Sequence, residues 1–121
     1  MITQERLCGG YVEVTHSSGD YLVTKAVPGV PNPIGPVILK ITPTTSGLGA
    51  KLPAANDASL SKGGPHFIVW NASGSQNLTL KNGSGSTLNT IGPGDAFEIC
   101  LISNTNVAGV WHRFQRTVEF P

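Results

Sequence analysis

Charged side chains are scarce in this sequence. Asp, Glu, Lys and Arg make up 12% of the residues, about half the share in ordinary soluble domains. The net charge is +1 and no Lys/Arg cluster occurs, which argues against a nucleic-acid or anionic membrane partner. A surface poor in charge but rich in Ser, Thr, Asn and Gly resembles the centre of a protein interface, and it is equally typical of a polar β surface.

Long apolar runs and abundant cysteine are also missing. No segment approaches the roughly 20 apolar residues that span a bilayer, and the start, Met1 to Arg6, lacks the features of a signal peptide. We therefore expect no membrane contact and synthesis in the cytosol. Cys8 and Cys100 belong to no CxxC pair, so we expect both to be reduced, with Cys100 a small core residue.

Catalytic and metal-binding motifs are absent as well. The histidines, His16, His66 and His112, are far apart and form no HExxH motif or zinc-ligand spacing. The sequence contains no GxSxG elbow, Walker loop or GxGxxG fingerprint. The prediction is a protein that is not an enzyme, with no catalytic residues, no metal site and no cofactor.

Helical periodicity is lacking, and 15 glycines and 9 prolines interrupt the chain. Short β-branched or aromatic runs at intervals of about 8 to 12 residues indicate an all-β fold. With 121 residues, we expect one domain, a β-sandwich or small barrel of about eight short, mainly antiparallel strands. The strand candidates are Tyr11 to His16, Tyr21 to Val27, Val37 to Thr42, His66 to Asn71, Asn77 to Lys81, Thr87 to Ile91, Ala96 to Ser103, Gly109 to Arg116 and Thr117 to Phe120.

Turn residues and alternation refine this prediction. The segments Ser17 to Asp20 and Ala72 to Ser75 are typical of hairpins, and Asn82-Gly83 is a third such signal. Phe97, Ile99 and Leu101 alternate along one strand, which predicts that they face the core with Glu98 on the opposite side.

A proline-rich segment from Val27 to Val37 breaks the strand pattern. Proline removes ladder donors, so we expect an extended arm rather than a central strand. Its apolar side chains would be costly in water. The arm either packs across its own sheet or docks on a neighbouring subunit, and in the second case the contact residues are Pro31, Ile34, Pro36 and Val37.

Two tryptophans are further candidates for a protein interface. In the strand around Trp70, one face carries Phe67 and Val69, and the other carries Ile68 and Trp70. Such a strand is covered on both sides, by the second sheet and by another subunit, or it lies inside a thick core. Trp111 is the second candidate.

Residues 52–111 resemble a β-rich module of bacteriophage virion proteins. The resemblance lies in Leu52-Pro53-Ala54-Ala55, in an apolar strand ending in Asn71-Ala72-Ser73-Gly74, in Leu78-Thr79-Leu80, in the turn Gly92-Pro93-Gly94-Asp95, and in Gly109-Val110-Trp111. Residues 1–51 would then supply N-terminal strands and the proline-rich arm, and residues 52–121 the fibre-like module.

The resemblance implies a structural role in the virion. A module with its own Met1 is similar to capsid decoration (cement) proteins, which bind an assembled head as oligomers, often trimers. The expected partners are then other copies of the chain and the major capsid protein or another virion protein, without nucleic acid or membrane. The alternative is a tail-fibre or receptor-binding module that recognises a cell-surface glycan. The aromatic residues expected to stack on the sugar are then Trp70, Trp111, Tyr11 and Tyr21.

Overall fold

The computed structural model describes residues 10–23, 37–56 and 66–117, and these residues form nine β-strands and no helix. Within them there is no helix with the length and apolarity needed to cross a membrane. The all-β prediction is therefore confirmed. The strands are β1 (Gly10–His16), β2 (Asp20–Leu22), β3 (Val37–Pro43), β4 (Leu48–Lys51), β5 (His66–Asn71), β6 (Leu78–Lys81), β7 (Thr87–Ile91), β8 (Asp95–Ser103) and β9 (Val110–Thr117).

Two sheets share the strands, in the orders β1-β3-β5-β8-β9 and β2-β4-β6-β7. From β1 to β6, each strand lies in the sheet opposite to its predecessor, so the pairs β1–β2, β3–β4 and β5–β6 form three stacked coils. The coils pair in parallel. Between the second and third coils the offset is the same in both sheets, because Leu39 pairs with Val69 and Leu48 with Leu78. The three remaining strands add antiparallel neighbours at one end of the stack.

Strand direction differs from the prediction. Four of the seven strand pairs are parallel, so the expected mainly antiparallel pairing is wrong, and the sheets do not close into a barrel. The turns at Ser17 to Asp20 and Ala72 to Ser75 are not hairpins, because they carry the chain from one sheet to the other. Asn82-Gly83 does begin the β6–β7 hairpin, where Asn82 Oδ1 accepts hydrogen bonds from the backbone N–H groups of Ser84 and Ser86.

The core lies between the two sheets. Phe67 and Val69 of β5 face it, as do Ile99 and Leu101 of β8, which confirms the alternation predicted for both strands. The four-stranded sheet supplies Leu78, Leu80 and Ile91, all fully buried. Burying such aliphatic and aromatic side chains stabilises the fold by about 1.5–3 kcal/mol each.

Two local predictions are corrected. Cys100 is not a core residue, because it alternates with Ile99 and Leu101 and points away from the core, where it is half-buried. Strand β4 was not expected, because Gly49 and Ala50 have low strand propensity. It forms because Ala50 is a small inward-facing residue opposite Leu80. Residues on either side of position 52 contribute strands to both sheets and to one core.

Candidate functional site

The outward side of the five-stranded sheet has the character of a contact surface. Cross-strand pairing places Ile38 beside Ile68, Ile68 beside Glu98, and Glu98 beside Phe114. The next row joins Glu13, Lys40 and Trp70. We call this surface the outer face, and its members are Tyr11, Glu13, Ile38, Lys40, Ile68, Trp70, Glu98, Cys100, Ile102, Val110, His112 and Phe114.

Exposure on the outer face increases toward its two edges. The central residues Ile38, Ile68 and Trp70 are half-buried. At the edges, Tyr11 of β1 is 50% exposed and Phe114 of β9 is 51% exposed. Single exposed apolar residues are ordinary, whereas clusters of them mark interaction sites. The exposed side chains along β9 and β1 are therefore the part of the outer face that indicates a contact site.

Lys40 is the electrostatic centre of the β1 side. Its Nζ lies 4.9 Å from the centroid of the Trp70 ring and 3.7 Å from Glu13 Oε2. The cation therefore covers the aromatic face while pairing with a carboxylate, an arrangement worth about 0.5–1 kcal/mol at an exposed site. A shallow, mainly polar depression beside it is lined by Glu13, Val14, Thr15, Lys40 and Thr42.

Two ionisable groups on this face have raised pKa values. Desolvation raises the pKa of the Tyr11 hydroxyl, helped by its hydrogen bond to Glu13 and by the negative charge of that residue. Desolvation also raises the pKa of the Cys100 thiol, and the charge of Glu98 adds to the effect. Both groups stay protonated at neutral pH, so Cys100 is a weak nucleophile.

The β9 side of the outer face carries an alternating stripe. Val110, His112 and Phe114 all point outward and are exposed, and the rings of His112 and Phe114 contact each other edge to face with centroids 4.2 Å apart. Arg113, which alternates with them, turns toward the other sheet. Its Nη1 donates to Leu88 O at 2.9 Å and to Asn89 Oδ1 at 2.7 Å, and so links β9 to β7.

The predicted interface residues are distributed unevenly. Trp70 lies on the outer face, as its strand pattern indicated. Trp111 lies in the core, 5% exposed, with its Nε1 donating to Ala108 O and its ring 6.3 Å from that of Phe67. Val37 begins β3. Pro31, Ile34 and Pro36 lie outside the described residues, so docking of the arm stays a prediction.

Phe114 was missed as a surface candidate. Its signal was present in the sequence: it occupies the outward phase of β9, whose opposite phase carries the core side chain of Trp111. An aromatic residue in the outward phase of an edge strand is unusual enough to be noticed.

Nothing in the described ranges is arranged for metal binding, since no group of three or more His, Cys, Asp or Glu side chains converges there. His16 illustrates the ordinary role of a polar residue in this fold, because its Nε2 hydrogen-bonds with Gly19 O within the β1–β2 turn at 2.8 Å. No protein-family model, curated protein or solved structure matches the chain.

Proposed function

We propose that this chain is a non-enzymatic structural protein of a bacteriophage particle, and that it decorates and stabilises the assembled head as an oligomer, in the manner of a cement protein. The observation that carries the proposal is the outer face. It combines half-buried Ile38 and Ile68 in its centre with exposed aromatic residues at its edges. Contact with a protein lattice would bury this apolar area.

Energetics favour a multivalent role for such a face. One half-buried aliphatic side chain has only part of its surface left to bury, so each contributes less than the about 1.5–3 kcal/mol of full burial. Weak single contacts become effective when several copies bind one lattice together, because later contacts form at high effective concentration. The low charge of the chain keeps repulsion between crowded copies small.

The first experiment locates the chain in particles. Particles of the phage whose genome encodes this chain are purified and imaged by cryo-electron microscopy, and heads are separated from tails for mass spectrometry. The proposal expects density for this β domain in many copies on the head surface. Density confined to the tail, or particles without the chain, would contradict it.

The second experiment tests the surface. Ile68→Asp is compared with Leu22→Asp for co-sedimentation with heads assembled without this protein. Leu22 is the matched control, because it is 64% exposed on the four-stranded sheet, away from the outer face. We expect Ile68→Asp to lose binding and Leu22→Asp to retain it, with circular dichroism showing both folded. Equal binding by the two variants would remove the outer face from the proposal.

Glycan recognition by a tail-fibre or receptor-binding module is the second candidate. Exposed Tyr11 beside the polar depression lined by Glu13 and Lys40 favours it, because an aromatic ring with nearby hydrogen-bonding groups can hold a sugar. A glycan array with wild type and Tyr11→Ala decides between the candidates. Binding that Tyr11→Ala abolishes, together with no affinity for heads, replaces the cement proposal.

A further inference from the structure

The two sheets present four edge strands, and these edges differ as templates for pairing with another chain. β2 has three residues, and β7 has five with an irregular register beside β6. Short and irregular edges resist strand addition. By contrast, β1 has seven residues in continuous register with β3. β9 has eight residues, and the one register shift in its pair with β8 falls between Leu101 and Ser103 of β8, so β9 itself has no extra residue. Among the described residues, β1 pairs only with β3 and β9 only with β8.

The two long edges carry opposite charge. Glu13 is the one acidic residue of β1, its side chain is 61% exposed, and it pairs with Lys40 of the neighbouring β3. The one basic residue of β1 is His16, whose Nε2 is hydrogen-bonded with Gly19 O in the following turn. β9 has no acidic residue, and its described outward and inward side chains include His112 and Arg113. Pairing of β1 with a second β1 would bring two Glu13 side chains close together, and pairing of β9 with a second β9 would cluster its basic groups. Like charges across strands destabilise a pair, whereas unlike charges stabilise it.

The same two edges carry exposed apolar side chains. Tyr11 is 50% exposed on β1, while Val110 and Phe114 are 54% and 51% exposed on β9. Joining the unlike edges would cover all three at once.

We propose that copies of this chain associate head to tail, with the β1 edge of one copy pairing in parallel with the β9 edge of the next. The partner is a second copy, chosen by the complementary charge and the matched length of the two edges. Because each copy uses a different edge toward each neighbour, the contact is heterologous and generates a ring when the rotation closes.

Ring geometry fixes the direction of the new strand pair. Within one copy, β1, β3 and β5 run in the same direction. β8 is antiparallel to β5 and β9 is antiparallel to β8, so β9 runs in the same direction as β1. In a ring of three or more copies, neighbours differ by a rotation of at most about 120°, which cannot reverse a strand. The pairing is therefore parallel.

The register follows from the polar side chains. Placing Glu13 opposite His112 of the next copy lets the carboxylate accept a hydrogen bond from an imidazole N–H. It also aligns Tyr11 with Val110 and Thr15 with Phe114. Thr15 is exposed and has the same strand phase as Tyr11 and Glu13, so all six side chains lie on the outward side of the joined sheets. Arg113 does not block the edge, because its Nη1 is held on β7 by Leu88 O and Asn89 Oδ1.

This inference deepens the self-association in the proposed function and is independent of head binding. The test is sedimentation velocity of the full chain from 1 to about 100 µM, a range that spans typical weak protein contacts. Wild type is compared with Glu13→Lys, with His112→Glu and with the double variant Glu13→Lys/His112→Glu. We expect a discrete oligomer for wild type, affinity roughly tenfold weaker per contact for each single variant, and recovery in the double variant.

Two controls separate the edge contact from other effects. Lys40→Gln removes the Glu13–Lys40 ion pair without changing an edge, and Lys51→Glu reverses a charge on the other sheet. Both should associate like wild type. A monomeric wild type, a Glu13→Lys variant as associated as wild type, or a double variant that fails to recover would each overturn the inference. Head binding by a monomeric wild type would overturn this inference and the oligomeric part of the cement proposal, while leaving decoration of the head standing.

Discussion

Lys81 Nζ lies 2.9 Å from Asp20 Oδ1, although the two residues belong to strands that are not neighbours. Strand β4 runs between them, and the ion pair passes over Gly49, which pairs directly with Asp20. A Cβ at Gly49 would overlap Asp20 Oδ1 and lie 3.2 Å from Lys81 Cε. Because Gly49 has no side chain, Asp20 of β2 in the first coil can contact Lys81 of β6 in the third coil.

Gly49→Ala tests this relationship. In an ordinary strand, replacing Gly by Ala raises stability by roughly 0.5–1 kcal/mol. Here we expect no such gain and a loss of up to about 1 kcal/mol, because the Asp20 carboxylate has to rotate away from the added Cβ and the half-buried ion pair is weakened. Urea denaturation measures the change. In an Asp20→Ala background the loss should shrink, since coupled residues are not additive, and Gly74→Ala, where a Cβ meets nothing within 4 Å, is the control.

Asn71 joins three segments at the end of β5. Its Nδ2 donates to Gln76 O at 2.7 Å and to Ile91 O at 2.9 Å, and its Oδ1 accepts from Ser73 N at 3.0 Å. The side chain is fully buried. We expect Asn71→Ala to cost about 3 kcal/mol in thermal or urea unfolding, because buried polar groups lose their partners. Asn106→Ala, which removes one exposed bond to Gly109 N, should cost under about 1 kcal/mol.

The sequence predicts individual strands well because alternation is local. Thr87 to Ile91 is a strand with the expected bounds, and Phe97, Ile99 and Leu101 face the core as expected. Sheet membership is different, because it depends on where a turn sends the chain. A turn such as Ser18-Gly19 can either close a hairpin or carry the chain from one sheet to the other. Contacts between stacked coils favour the second outcome, and one of them is the hydrogen bond that Thr44 N donates to His16 O.

The two tryptophans show that local alternation also predicts the candidate site only in part. The strand pattern placed Trp70 on a second face, and the outer face contains it. Trp111 has the same flanking alternation, yet its phase is inward because it pairs with Leu101, which is buried. Only the strand register separates the two cases.

Trp111 and Phe114 provide a prediction from this difference in phase. Trp111→Ala should cost about 3–5 kcal/mol, because it empties a core position beside Phe67 and removes the bond to Ala108 O. Phe114→Ala, three residues later and outward, should change the stability of the dilute monomer by no more than about 0.5 kcal/mol. Guanidinium unfolding at low concentration measures both. Comparable losses for the two variants would contradict the assigned phase of β9.

The Cys100 thiol should react slowly. In a Cys8→Ser background, we expect alkylation of Cys100 at pH 8 to be slower than in the unfolded chain, because the raised pKa leaves less thiolate. Glu98→Gln should increase the alkylation rate, because it removes the negative charge that contributes to the raised pKa of Cys100. The raised pKa also makes the free energy of unfolding depend on pH. Below the ordinary thiol pKa of 9.0 the contribution of Cys100 to stability is fully present. It is lost as the pH rises through the higher pKa of the folded state, because the unfolded chain releases this proton first. Alkylation as fast as in denaturant would contradict this environment.

Gly109 and Gly85 test how closely the turn before β9 is packed. Both have positive φ, 65° and 89°, so alanine is strained at either position. A Cβ at Gly85 meets nothing within 4 Å, and Gly85→Ala should cost only the backbone strain of about 1–2 kcal/mol.

At Gly109 the Cβ would overlap Ala55 Cβ and lie 2.8 Å from Ser103 O. The close approach involves backbone and a methyl group that cannot rotate away, so Gly109→Ala should exceed Gly85→Ala by about 1–3 kcal/mol. Urea midpoints measured side by side decide the point. Equal losses would mean that the 105–109 turn can move away from Ala55, and that the contact holding Ala55 N to Val107 O is not rigid.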